Sequence, residues 1–326
     1  MKRDFGIIIV RGTFRIIPNQ RLKPVPDQHP LVETDIYFDE KKELGVRMES
    51  DLVPFKPNSD IHINVIARSP DKKPNPEWLL SVQIGRLKKI LRILGPRYWQ
   101  YSYLRGWQLS KPEPCEEVPI RYELSFGGTY YKAGKPTPYE YNPIGIGLID
   151  LKHTNREKPI PAPQIEDPYQ PIEKAGVTYK PCGLTPIGRS WLPRLKFAGT
   201  YDDNWKKNRW PELPEDFNFA YYNSAHPDLI YPTYLTGDEE VKFAQWIQNK
   251  PAQMLTFRLP AYLMKVLLRY QDGEMRLAPL LLDTLYLDLS SVETGKQRVH
   301  ITWRSVFYLY KPLRLVEARM DQPSTS

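Results

Sequence analysis

Lys265-Val266-Leu267-Leu268-Arg269-Tyr270-Gln271-Asp272-Gly273-Glu274-Met275-Arg276-Leu277 sets two apolar runs on either side of an Asp-Gly pair. Asp-Gly supplies the positive-φ positions of a tight turn, so this stretch predicts a β-hairpin. Immediately after it, Leu281 to Leu289, a turn around Gly295 and Val299 to Tyr310 predict a second hairpin. Toward the N-terminus the same period-two pattern recurs. Val32, Thr34, Ile36 and Phe38 share one face of a predicted strand over Val32–Phe38, with a largely acidic opposite face. Ile61, Ile63, Val65 and Ala67 do so over Asp60–Ala67. Each reads as a strand that covers a core with one face.

Two segments are less clear. Leu87, Ile90, Leu91 and Leu94 stand at helical spacing, but the run is short and ends at Gly95-Pro96, which favours a strand. Asp238 to Gln248 reads as a short helix with an acidic first turn. Residues 111–235 differ in kind. Pro159, Pro161, Pro163, Pro168 and Pro171 exclude regular helix or central strand there. Trp191, Trp205, Trp210, Tyr221 and Tyr222 then alternate with polar residues. The fold expected is mainly β: packed antiparallel sheets, sandwich- or barrel-like, with long Pro/Tyr/Trp-rich ordered loops and few short helices. Residues 1–320 read as a single large domain, with sub-lobes at 1–110 and 255–320 joined by a loop-rich middle, 111–254. Residues 321–326 read as a frayed tail.

Composition narrows the function. The chain has 326 residues, 41% hydrophobic, ample for a packed core. Its net charge of +8 comes from 46 basic residues interspersed with 38 acidic ones, without the stripe that nucleic-acid binders concentrate. Cys115 and Cys182 lie far apart, against a disulfide framework or a zinc site. Ile7 to Val10 is too short for a signal segment, and no run approaches a bilayer span, so a cytoplasmic protein without membrane insertion is expected.

The chemical motifs fall away one by one. Gly128 to Lys135 has five residues between its glycines where a phosphate-binding loop needs four, and Pro136 stands at the magnesium position. Ser224, His226 and Asp228 are adjacent, but a triad is assembled in space and not along a chain. Asp202-Asp203 beside Trp205 suggests sugar chemistry, yet neighbouring carboxylates on an extended chain point apart. No catalytic, cofactor or metal residues are therefore expected. Arg86, Lys88, Lys89, Arg92 and Arg97 form the densest basic cluster. Arg86, Arg92 and Arg97, with Tyr98 and Trp99, are the expected partner-binding residues, because Arg, Tyr and Trp carry interface energy. Trp191, Arg194, Tyr201, Asp202, Trp205 and Arg209 are expected to form a structural clamp over the sheet, with Trp191, Tyr201 and Trp205 largely buried.

The order of segments carries a resemblance. Asp51-Leu-Val-Pro-Phe-Lys-Pro-Asn-Ser-Asp60 comes first, then Gly95-Pro-Arg-Tyr-Trp99, then Pro119 to Gly128 and Tyr141-Asn-Pro-Ile-Gly145. Pro163 to Pro168 follows, then Gly183 to Asp228, Gly237-Asp-Glu239 and Leu259-Pro260. This series resembles the family called domain of unknown function 2169, over roughly residues 1 to 310. Leu229 and Cys182 depart from it, standing where Gln and Ala are commoner. The resemblance implies a non-enzymatic adaptor or chaperone of type VI secretion. Its implied partners are a co-encoded effector protein, a PAAR-type tip protein and the spike protein VgrG. A carbohydrate-binding or carbohydrate-active β protein is the alternative, and a nucleic-acid binder a third.

Overall fold

Both C-terminal hairpins are present in the structure, a computed structural model that describes residues 4–247, 250–291 and 293–321. The principal strands are β1 (Asp4–Arg15), β2 (Ser59–Arg68), β3 (Glu77–Ile84), β4 (Leu87–Leu94), β5 (Tyr98–Ser102) and β6 (Gly106–Leu109). After the loop-rich middle come β7 (Glu240–Ile247), β8 (Lys250–Arg258), β9 (Leu263–Tyr270), β10 (Met275–Pro279), β11 (Leu281–Leu289), β12 (Arg298–Leu309) and β13 (Leu313–Asp321). Among the described residues, helix is confined to α1 (Leu192–Leu195), α2 (Asp203–Asn208) and short 3-10 turns. The chain is mainly β, and among the described residues no sheet closes into a barrel.

One large sheet runs Glu117–Pro119, β2, β11, β12, β1, Lys23–Pro24. The other runs Ile165–Glu166, β4, β3, β7, β8. Ile61 and Ile63 from the first and Leu80, Val82 and Ile93 from the second belong to one buried apolar cluster. In the loop-rich middle Phe126–Gly127 pairs parallel with Ile146–Gly147. The ladders within the two large sheets are antiparallel except where β2 lies parallel to β11, with Asp60 opposite Thr284. That contact brings the N-terminal signature beside the C-terminal hairpin. A three-stranded sheet, β10-β9-β13, extends from it.

Two expected elements are different. Residues 240–247 form strand β7, not a helix, paired along its length with β3 and β8. The acidic residues before it shape a loop instead: the Glu239 carboxylate accepts from the backbone N–H groups of Thr236 and Gly237. The segment 32–38 holds only a two-residue strand, Ile36–Tyr37. Val32 is fastened by its N–H to the Asp51 carboxylate and not to a ladder. In the expected tail, Asp321 ends β13, and residues 322–326 lie outside the described residues.

The middle has small cores of its own. Trp99, Phe126, Ile149, Ala162 and Ile172 form one, and Tyr122, Ile187 and Trp191 another. Asn142 pins the first loop by donating its amide to the carbonyls of Tyr122 and Phe126. A Cβ on Gly127 would lie 2.1 Å from the Asn142 carbonyl oxygen, so only glycine fits that approach.

Candidate functional site

Alternation predicts that the polar face of β2 meets water. It does not. Residues 223–225 lie over it and the strand Ile230–Tyr231 pairs at its edge, so Asp60 and His62 are almost as buried as Ile61 and Ile63. A charge taken out of water must be paired and hydrogen-bonded, and a group of neighbouring ion pairs meets most of that demand. Lys56 Nζ donates to Asp60 Oδ2 at 2.8 Å and to Thr284 Oγ1 at 3.1 Å. Asp60 also accepts from Asn223 Nδ2 and from the Ser224 N–H, each at 2.9 Å. On the neighbouring strands, Arg304 Nε donates to Asp283 Oδ2 at 2.5 Å, and its Nη2 to the Asp51 carbonyl at 3.0 Å. The Asp51 carboxylate takes Arg11 Nη1 at 2.7 Å and the Thr302 hydroxyl at 3.0 Å. Glu49 extends the network to Arg194 at 2.8 Å and Arg189 at 3.2 Å.

Charge follows from this geometry. Burial opposes ionisation of Asp60, but Lys56 and the hydrogen bonds outweigh it and hold the carboxyl below its ordinary range. Burial likewise opposes charge on Lys56, and Asp60, Asp283 and Glu49 together raise its affinity for the proton. For Asp283 burial prevails over Arg304, and its carboxyl titrates higher than usual.

His62 shares a 3.2 Å hydrogen bond with Ser224 Oγ, through Nε2, and Asp60 lies 3.9 Å from the same nitrogen. A nucleophilic serine needs the carboxylate on the other ring nitrogen, where it orients the imidazole. Here Nδ1 is buried without a hydrogen-bond partner, and Ser224 is fully enclosed. Burial lowers the His62 pKa to about 4, so the ring is neutral. The arrangement fastens a loop to a strand and offers no route to a substrate. The sequence neighbours of Ser224 serve elsewhere: Asp228 accepts from Lys89 at 2.7 Å, and His226 lies 3.2 Å from the same ammonium.

The expected basic surface is largely internal. Arg97 is 5% exposed and donates to Glu166 at 2.6 Å and to the Pro163 carbonyl at 2.9 Å. Trp99, 2% exposed, is core. Arg92 joins Glu77 to Glu166, and Tyr98 is half-buried with its backbone N–H bonded to Ser110 Oγ. Only Arg86 and Lys88 of the five cations stand exposed, Arg86 lying 5.5 Å above the Tyr231 ring. The cluster therefore does not form one basic face.

The clamp is mixed. Trp191 is buried, its ring edge-on to Tyr122 at 5.1 Å. Arg194 donates to the carbonyls of Ile187 and Tyr221, and its acidic partner is Glu49. Asp202 caps α2 by accepting from the Trp205 N–H at 2.8 Å. Tyr201 is 52% exposed and Trp205 half-buried, against expectation. The reason is local: α2 packs on its own loop, where the Trp205 indole donates to Glu212 O and Arg209 to Leu213 O.

One exposed feature escaped the sequence reading. β5 and β6 form a hairpin whose loop carries Tyr103 and Leu104, 92% and 96% exposed. Gly106 closes it at φ +71°, a conformation that favours glycine. Among the described residues no group of three His, Cys, Asp or Glu could hold a metal ion. No helix there is long and apolar enough to cross a membrane.

These features define a mainly-β scaffold fastened by a buried ionic network, with aromatic loops outside. The chain belongs to the bacterial family described as "Uncharacterized protein conserved in bacteria (DUF2169)", whose model matches residues 2–304. No curated protein and no solved structure matches it.

Proposed function

We propose that the chain is a non-enzymatic adaptor or chaperone that binds a type VI secretion effector and helps load it onto the VgrG/PAAR spike. One observation carries the reading. Signature residues Asp51, Lys56, Asp60, Arg97, Arg194 and Asn223 are spent on internal fastening, while aromatic side chains stand out on loops. Such a scaffold holds its shape and offers contact residues, which is what a carrier needs: a moderate interface with few anchors, formed and later released. The ordered blocks that suggested the adaptor role lie within the span that the family model matches. Deleting the gene tests the reading in the cell. Delivery of the neighbouring effector should be lost while the secretion machine still fires other cargo; unaltered delivery contradicts it.

A further inference from the structure

The β5–β6 hairpin and the loops beside it form a second structural unit with a chemistry of its own. Tyr101 and Trp107 face each other across the ladder, ring edge to ring at 5.4 Å, and Tyr101 meets Tyr103 in the same way at 5.7 Å. The Arg156 guanidinium lies 4.7 Å above the Tyr101 ring, and its Nη2 donates to the Leu151 carbonyl. Tyr101, Trp107, Leu151, Arg156, Glu173 and Lys174 line a cleft of about 500 Å³ under the tip. Turns of this kind favour Gly, Asn, Asp, Pro or Ser. Tyr103 and Leu104 satisfy no turn requirement, and in the free chain they gain nothing from burial.

The electrostatics select the occupant. Arg156 and Lys174 in the cleft, with Arg105, Lys152 and Lys158 close by in sequence, have no carboxylate partner among the described residues. Nearby Asp150 is already taken by His153 at 2.7 Å. Unpaired cations around an apolar floor complement a segment that brings both carboxylates and an apolar side chain. A nucleic acid fits less well. Aliphatic Leu104 and Leu151 offer bases no stacking face, and Glu173 can accept a peptide N–H. Because Tyr101, Trp107 and Arg156 already hold one another, binding orders little that is loose.

We propose that this cleft and the Tyr103–Leu104 tip dock an acidic protein segment carrying an aromatic or aliphatic side chain. The proposal deepens the adaptor reading and rests on it for the identity of the cargo. The probe is a labelled synthetic peptide with Asp and Glu flanking a central Phe-Leu pair, titrated with the full chain by fluorescence anisotropy. Its Lys-for-acid counterpart and a thymidine oligonucleotide serve as comparisons. The acidic peptide should bind, more weakly as salt rises, and the pair Tyr103→Ser/Leu104→Ser and the single change Arg156→Glu should each weaken it ~10-fold. These side chains are exposed, so the urea midpoint should not move; if Arg156→Glu shifts it, Lys174→Glu takes its place. No binding, equal binding of the Lys peptide, insensitivity to both variants, or preference for the oligonucleotide overturns the proposal. Capture of the co-encoded effector separates the two readings. If the wild-type chain captures it and the variants capture it equally well, the surface is wrong and the adaptor stands. If the acidic peptide binds as described but the wild-type chain captures no effector, the surface stands and the adaptor reading fails.

Discussion

Lys56 pairs with Asp60, four residues further along the same signature, at 2.8 Å in the interior. Both side chains are almost wholly enclosed, and the pair lies where β2 and β11 run parallel. Removing one partner of a buried pair leaves the other charge uncompensated, which typically costs about 3–5 kcal/mol. Lys56→Met should therefore lower unfolding free energy by that amount in a urea titration. A loss below ~1 kcal/mol, within the range of an exposed pair, would contradict the account of the network.

Acid should loosen the molecule in a defined window. Burial lowers the pKa of His62 and of His226 to about 4, against an ordinary 6.5. The unfolded chain thus binds protons that the folded one refuses. Stability is full above 6.5 and falls as pH drops toward 4, by ~1.4 kcal/mol per pH unit for each such histidine. Asp60 and Glu49, whose carboxyls are held lower than usual, remain ionised through this window; their contribution goes only at still lower pH. Urea midpoints measured from pH 7 to 4.5 should fall steadily, and less steeply in His62→Gln. A flat profile would count against neutral buried histidines.

The two clamp tryptophans should separate. Trp191→Ala empties a core position and should cost about 3–5 kcal/mol. Trp205 is half-buried on its own loop, so Trp205→Ala should cost ~1–2 kcal/mol. Equal losses in denaturant titrations would mean that α2 is part of the main core.

The cysteines offer a chemical check. Burial pushes the Cys182 thiol up to about 12, and its side chain is enclosed; Cys115 is also raised but partly exposed. A thiol reagent at neutral pH should titrate Cys115 in the native protein and Cys182 only after unfolding. Simultaneous reaction of both would contradict the burial of the 182–184 segment.

How far the residues announce all this depends on the range of the interaction. β9 to β12 were legible because alternation and an Asp-Gly turn act within a few residues. Residues 240–247 misled because Asp238 and Glu239 imitate an acidic helix start, whereas the strand is decided by its neighbours β3 and β8. The site was less legible still. Arg97 and Trp99 have the side chains of an interface anchor, and type alone does not reveal that Glu166 and a satellite core enclose them. The Ser224 to Asp60 contact joins positions 164 apart, and no local pattern encodes it. Tyr103 and Leu104 did carry a signal: two apolar residues where a hairpin turn prefers polar or flexible ones.

Whether the chain carries cargo is best tested by co-expressing it, tagged, with the effector encoded beside its gene and measuring what co-purifies. A complex of fixed stoichiometry, with effector solubility that depends on the chain, is the predicted result. An effector that is equally soluble without the chain and never co-purifies with it would contradict the adaptor reading.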